Sequence, residues 1–222
     1  MTAVPHAARR NAVRTGGILL AFAVVATLML AVTFDWTHPA IAQNEQQAKR
    51  ALIGQVLPAA SYDNDLLGTV RQLPASDMLG TRTPSHVWIA RKQRQPTGLV
   101  LEAIAPDGYS GEIALLIGIS AEGQITGVRV TAHRETPGLG DYIEIAKSGW
   151  IKQFNAKSLN HPREAAWKVR QDGGAFDAHA GATITPRAVV KAVKSALLYF
   201  ARHRAELLGP AKTPRNPGKL PD

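Results

Sequence analysis

The strongest constraint on this chain is a run of twenty residues, Thr15 to Phe34, that contains no charged side chain. At about 1.5 Å of rise per residue, a helix of this length crosses the roughly 30 Å hydrocarbon core of a bilayer. Three arginines and no acidic residue lie within residues 1–14, and Asp35 follows the run directly. The positive-inside rule therefore predicts a transmembrane helix over 15–34, with residues 1–14 in the cytoplasm and the rest of the chain outside.

A cleaved signal peptide is the alternative for this segment, because Ala40-Ile41-Ala42 supplies an A-x-A cleavage site. The apolar run is longer than the roughly 7 to 15 residues of a signal-peptide core. The length favours an uncleaved anchor, and both alternatives export the following domain.

Composition removes several classes of function. The chain has no Cys, which excludes disulfides, thiolate metal sites, cysteinyl iron–sulfur clusters and the usual haem attachment. A redox role would need an organic cofactor or a His-ligated metal, and the seven His residues show no tight ligand spacing, so no metal is predicted. The net charge of +9 comes from scattered Lys and Arg without an aromatic-basic cluster, so no nucleic acid partner is predicted.

The region after the anchor is predicted to fold as α+β, with a mainly antiparallel sheet covered by helices. Residues 35–85 are predicted to contain a membrane-proximal helix, which begins at the capping pattern of Asn44 and ends before Pro58. An irregular linker follows, with a short strand at Thr69 to Leu73. Residues 86–205 form the main domain, and the proline-rich residues 206–222 form a disordered tail.

Alternating apolar residues predict the strands of the main domain. The segment Ile113 to Ile119 is apolar on both faces and is predicted as the central strand, with a hairpin to the next strand in the middle of the sheet. Short elements follow, with Trp150, Ile151 and Phe154 as core residues. The remaining predicted strands are Val87–Ala90, Leu99–Ala105, Ile125–Val130 and Ala166–Val169; the helices are Asp141–Lys147 and Pro186–His203.

The segment before the last helix has the pattern of a phosphate site. Thr185 is predicted as the N-cap and Pro186 as the first helical residue. Thr183 then precedes a helix N-terminus, which favours a bound phosphate. Gly181 and Ala182 allow a bulky group to approach the backbone closely.

This segment resembles a known modification motif. Asp177 followed by Gly181-Ala182-Thr183 is similar to the motif of the covalent-flavin subunits of bacterial Rnf and Na+-translocating NADH:quinone reductase complexes, although Ala180 stands where Ser or Thr is usual. In that family a flavin transferase joins FMN through its phosphate to the last Thr, here Thr183. The resemblance makes Asp177 part of the recognised sequence and Thr185 a binding candidate with Gly181 and Ala182.

A second segment carries the same resemblance. The loop from Thr131 to Gly140 contains two glycines and a proline, which by themselves indicate a connecting loop or a preformed ligand-binding loop. Its sequence from His133 is similar to a second signature of the flavin-binding family, about forty residues before the Thr motif. The resemblance implies that the loop lies near the isoalloxazine, with Glu135, Thr136, Gly138, Leu139 and Gly140 as binding candidates.

The resemblance is strongest to the G subunit of the Rnf complex. It implies a redox subunit, rather than a stand-alone enzyme, that carries covalent FMN and works with the other subunits in electron transfer between ferredoxin and NAD coupled to ion movement. The implied location is the bacterial inner membrane, with the main domain in the periplasm. Three alternatives remain: the typically longer C subunit of the Na+-translocating quinone reductase, a noncatalytic periplasmic scaffold, and a threonine-nucleophile hydrolase, which lacks a base positioned by sequence.

Overall fold

The computed structural model describes residues 6–209 and divides the chain between Lys49 and Arg50 into two compact units. Helix α1 (His6–Val56) makes up the described part of the first unit and ends in the second. Its segment Arg14–His38 has a mean hydropathy of 2.5 and exposes its side chains. This segment includes the predicted 15–34 and is long and apolar enough to cross a membrane.

The prediction of a separate helix beginning at Asn44 is wrong, because α1 passes through this position without a break. An N-cap contributes about 1 kcal/mol at best, whereas extending an existing helix adds a backbone hydrogen bond with every residue. The predicted end is confirmed, since α1 stops at Val56, two residues before Pro58.

The second unit contains a five-stranded antiparallel sheet whose strands follow one another in chain order. This confirms the α+β class, the short strand near Thr69 to Leu73 and the four strands that come after it. The positions of two elements were predicted wrongly: β3 is the middle strand, and the hairpin of β4 and β5 forms one edge. The strands are β1 (Val70–Leu73), β2 (Ser85–Lys92), β3 (Gln95–Gly108), β4 (Gly111–Ser120) and β5 (Ile125–Ala132).

Strand β4 is apolar on both faces because both faces of the sheet are covered. On one face, Leu115 and Ile117 belong to the main core together with Val193 of helix α2 (Ile184–Leu208). Leu116, on the opposite face, packs in a second cluster with Ile53 and Val56 from the end of α1. A continuous apolar run therefore indicates covered faces, and does not by itself indicate a central position.

Two glycines allow the end of α1 to lie directly on the sheet. A Cβ added at Gly118 would lie 2.3 Å from the carbonyl oxygen of Val56, and one at Gly127 would lie 2.7 Å from its Cα. Thr126 donates a hydrogen bond from its hydroxyl to the same carbonyl. The small residues and this hydrogen bond fix the helix end on β4 and β5.

Two short elements differ from prediction. Residues Ala166–Val169 form no strand: a 3-10 turn, Glu164–Ala166, is followed by a single bridge between Val169 and Phe176. Trp167 is nevertheless buried, and its indole nitrogen donates to the carbonyl oxygen of Ser158 at 3.2 Å, so packing rather than strand pairing decides this segment. The predicted helix Asp141–Lys147 is only the 3-10 turn Asp141–Ile143. The core positions predicted for Trp150, Ile151 and Phe154 are confirmed.

Helix α2 begins at Ile184 instead of Pro186 and continues to Leu208 instead of ending near His203. Residues 206–208 of the predicted tail are therefore helical, Gly209 is the C-cap, and residues 210–222 lie outside the described residues. The extension has two causes. Leu207 is buried in the main core, and the guanidinium of Arg71 donates to the carbonyl oxygens of Glu206 and Leu207.

Candidate functional site

Thr183 is the N-cap residue of α2, and its side chain makes no capping hydrogen bond. The residue is half-buried, and its hydroxyl oxygen accepts a hydrogen bond from Nη1 of Arg187 at 3.4 Å. Gly181, two residues earlier, has a φ of +85°, and no atom lies within 4 Å of the place where a Cβ would be. The turn thus depends on a glycine and leaves its backbone uncovered beside the hydroxyl.

The prediction that Thr185 is the N-cap is wrong. Thr185 lies inside the first turn of α2, is 2% exposed, and donates its hydroxyl proton to Oε2 of Glu135 at 2.5 Å. A buried carboxylate needs hydrogen-bond donors, and this need outweighs the local capping preference. Pro186 falls at the third helical position, where its missing N–H would have no partner within the helix.

Glu135 links three segments of the chain. Its carboxylate is 4% exposed and accepts hydrogen bonds from Thr185 and from the backbone N–H of Ser110, at 3.1 Å. Gly140 packs against the same group, since a Cβ there would lie 3.0 Å from Oε2 of Glu135. The carboxylate therefore holds the loop of residues 133–140, the turn after β3 and the start of α2 together.

These segments enclose a cavity of about 160 Å³ beside Thr183. Eight of the ten residues predicted from the sequence line it, together with Tyr109 and Ile184, which no sequence pattern identified. The eight are Glu135, Thr136, Leu139, Gly140, Gly181, Ala182, Thr183 and Thr185. The two predicted segments, separated by about forty residues in sequence, meet at one place.

The other two predicted residues lie outside the cavity lining. Gly138 has a φ of +74°, and its N–H donates to Oδ1 of Asp141 at 2.9 Å, so it shapes the loop. Asp177 is exposed, and its carboxylate pairs with Nε of Arg170 at 2.8 Å. Its backbone is anchored, because the indole N–H of Trp150 donates to its carbonyl oxygen at 2.7 Å.

The rim of the cavity is apolar and open. The side chains of Tyr109, Leu139 and Ile184 are 67%, 47% and 46% exposed. Tyr109 lies between two strands and Ile184 at a helix start, where a single apolar residue carries no pattern that distinguishes a binding residue from an ordinary surface residue. Only the structure identifies these two.

Tyr142 holds the turn that leads into Thr183. Its ring stacks on that of His179 with centroids 3.8 Å apart, and its hydroxyl donates to the carbonyl oxygen of Ala182 at 3.2 Å. The backbone N–H of His179 donates to the same hydroxyl at 3.4 Å. A tyrosine hydroxyl is protonated at neutral pH and can donate this bond, and burial raises the pKa of Tyr142 further.

The residues present fit a flat cofactor that is attached through a phosphate. Three groups suit the phosphate end: the Thr183 hydroxyl, which makes no capping hydrogen bond, the uncovered backbone of Gly181 and the guanidinium of Arg187. The exposed apolar rim suits an aromatic ring system. Enclosed ligand sites usually measure roughly 300 to 1,000 Å³, so a cavity of about 160 Å³ buries only part of such a molecule. Among the described residues, His, Asp and Glu side chains form no group of three that could hold a metal ion.

Comparison with known proteins matches both parts of the chain. Residues 108–198 match the FMN-binding domain family, and residues 1–56 match the RnfG N-terminal region. The chain is 46% identical over 204 residues, 92% of its length, to the G subunit of the ion-translocating oxidoreductase complex of Pseudomonas aeruginosa, of which 95% is covered. It is 46% identical over 198 residues to the corresponding protein of Vibrio cholerae, with 89% of this chain and 94% of that protein covered. It is 42% identical over 195 residues to that of Shewanella oneidensis, with 88% and 92% covered.

Proposed function

The chain belongs to the family of G subunits of ion-translocating oxidoreductase complexes, and from that premise we propose that FMN esterified to Thr183 is its working cofactor. It is a single-pass membrane protein with an FMN-binding domain, and its function is electron transport as one component of an Rnf-type complex. The assignment to Thr183 rests on the position of its hydroxyl. This group makes no cap bond and lines the cavity that the two motif segments share.

When bound, FMN supplies electron transfer, and the protein supplies attachment, orientation and surroundings. Glu135 and Thr185 fix the cavity wall, and Tyr142 fixes the turn that presents Thr183. Gly140 keeps the wall free of a side chain, and Leu139 and Tyr109 provide apolar contact at the rim. A covalent link holds the cofactor where the cavity itself encloses only part of it.

Attachment requires a flavin transferase, which we propose recognises the exposed face around Asp177. The side chain of Asp177 is exposed while its backbone is anchored, so it stands at a defined place on the surface. Ala180, which stands where the motif usually has Ser or Thr, is also exposed. A missing hydroxyl at position 180 leaves the acceptor hydroxyl of Thr183 unchanged.

We also propose that the anchor lies in the inner membrane with its N-terminus in the cytoplasm and the FMN-binding domain in the periplasm. The arginines of residues 1–14 support this orientation, because basic residues are retained on the cytoplasmic side. In this arrangement the protein relays electrons in a reaction that links ferredoxin and NAD to ion movement.

The alternatives fit less well. The match of residues 1–56 to the RnfG N-terminal region, and the nearly complete coverage of the Pseudomonas protein, favour the Rnf assignment over the C subunit of the Na+-translocating quinone reductase. A noncatalytic scaffold would leave the shared cavity and the uncapped hydroxyl of Thr183 without a role.

The test is to produce the full chain with a flavin transferase and to look for flavin fluorescence in the denatured band, with intact and peptide masses. We expect a gain of one FMN less water on the peptide that contains Thr183. Thr183→Ala should abolish the gain, while Thr136→Ala, which removes an exposed hydroxyl from the same cavity, should keep it. An unmodified wild-type chain would favour the scaffold, and a flavinylated Thr183→Ala chain would exclude Thr183 as the acceptor.

A further inference from the structure

Arg187 lies four residues after Thr183, on the same side of the first turns of α2. Its Nη1 donates to the Thr183 hydroxyl at 3.4 Å. The guanidinium is therefore directed at the atom to which the phosphate would be bonded, although the flavin-attachment motif ends before this residue.

Asp172 holds the other edge of the guanidinium. Nε of Arg187 donates to Oδ2 of Asp172 at 2.7 Å, and Nη2 donates to Oδ1 at 2.6 Å. This two-point contact fixes the plane of the guanidinium and uses Nε and Nη2, which leaves the Nη1 hydrogens facing Thr183. An exposed ion pair contributes little to stability, so its main effect here is to fix a direction.

The local charge suits a phosphodiester. The hydrogen bonds from Arg187 lower the pKa of Asp172, and the charge of Lys168 lowers it further. Both cations favour the single negative charge that a phosphodiester carries at neutral pH. Arginine carries five N–H donors in a fixed plane, so Arg187 can pair with Asp172 through Nε and Nη2 and still donate from Nη1, whereas the ammonium of a lysine has no such fixed geometry.

We propose that the Nη1 edge of Arg187, oriented by Asp172, binds the phosphate of FMN attached to Thr183. This inference rests on the proposed function. Because the ester forms at the Thr183 oxygen itself, a guanidinium that reaches this oxygen also reaches the oxygens of the group bonded to it. Arg187 is then a cofactor-binding residue, and Asp172 is a positioning residue that acts through it.

The test compares full-length wild type, Arg187→Gln, Arg187→Lys and Lys191→Gln, each produced with a flavin transferase and purified in detergent. Lys191 is the matched control, because it is a cation one turn later on α2 that pairs with Asp107. Phosphorus NMR is recorded on each flavinylated protein before and after unfolding. We expect the native wild-type resonance to differ from the unfolded one, Lys191→Gln to keep this difference, Arg187→Lys to reduce it, and Arg187→Gln to lose most of it.

A native resonance of Arg187→Gln that equals the wild-type resonance overturns the phosphate contact and leaves the attachment to Thr183 standing. A wild-type chain without covalent flavin overturns the proposed function, and the inference with it. If neither Arg187 variant accepts flavin, the unmodified chains are titrated with FMN and with riboflavin, which lacks the phosphate. The preference for FMN should then fall by about tenfold or more in Arg187→Gln, as for loss of a charged hydrogen bond; an unchanged preference overturns the contact.

Discussion

The hydroxyl of Thr185 donates a hydrogen bond of 2.5 Å to the carboxylate of Glu135, fifty residues earlier in the chain. Both side chains are almost fully buried. This contact joins the two segments that the sequence marks as a flavin site, and it explains why the first turn of α2 is displaced from the capping pattern. The geometry of the cavity depends on it.

Thr185→Val should therefore destabilise the domain by about 1–3 kcal/mol, because it removes a donor from a buried carboxylate while keeping the shape of the side chain. Thr185→Ser retains the hydroxyl and is the control, with a smaller loss from the missing methyl group. Denaturant unfolding of the full chain in detergent measures both. Equal stabilities of Thr185→Val and wild type would show that the carboxylate finds another donor.

Much of this architecture follows from local pattern. The strands β2 to β5 were predicted because their side chains alternate or are apolar throughout, and these patterns reflect burial directly. The N-cap could not be predicted, since Thr183 and Thr185 are equally good capping residues and only the distant Glu135 decides between them. The strand around Trp167 was predicted wrongly because an aromatic residue between apolar neighbours packs in a core equally well without a strand partner.

The candidate site, like the fold, could be predicted only in part. The two recognisable segments identified eight residues that line the cavity, whereas the roles of Tyr109, Ile184 and Tyr142 became visible only in the structure. Each of these three contributes through its place in the fold and belongs to no local motif. Asp177 belongs to the motif but lies outside the cavity lining, so a motif residue need not be a contact residue.

Tyr142→Phe should slow flavin attachment more than it weakens folding. The change removes the hydroxyl that holds Ala182 and the backbone of His179, at a cost of about 1 kcal/mol, and it keeps the ring stacked in place. The initial rate of flavin incorporation, read from fluorescence of the denatured chain, should fall. Tyr199→Phe is the control: it changes a different buried tyrosine, on α2, and should leave this rate unchanged. An unaffected rate would mean that the turn is held without this hydroxyl.

The same tyrosine predicts a change in stability at alkaline pH. Burial raises its folded-state pKa above the ordinary value near 10, so its contribution is complete below that value and is lost as the pH rises through the folded pKa. Wild type should lose stability above about pH 10 more steeply than Tyr142→Phe. Unfolding curves over the alkaline range measure the difference, and parallel curves would contradict the burial effect.

The pair of Asp172 and Arg187 predicts an effect at acidic pH. The hydrogen bonds from Arg187 lower the pKa of Asp172, so the pair is intact above the unfolded-state value near 3.9 and is lost as the pH falls through the lower folded value. A pH titration of the Asp172 carboxyl, followed by carbon NMR, should have its midpoint below about pH 3.9 in wild type and at a higher pH in Arg187→Gln. Equal midpoints would show that the guanidinium does not hold this carboxylate in solution.

Gly138 and Gly140 offer a pair of changes in one loop that separate cavity shape from backbone conformation. A Cβ at Gly140 would lie 3.0 Å from Oε2 of Glu135 and 3.2 Å from the Thr185 hydroxyl, so Gly140→Val disturbs the cavity wall. At Gly138 nothing lies within 4 Å, and the φ of +74° alone makes Gly138→Ala unfavourable, by about 1–2 kcal/mol. We therefore expect the absorption spectrum and midpoint potential of the attached flavin to change in Gly140→Val and to remain normal in Gly138→Ala, whose effect is confined to stability. An unchanged flavin spectrum and potential in Gly140→Val would show that this wall does not contact the cofactor, because a side chain in that place would disturb a neighbouring ring.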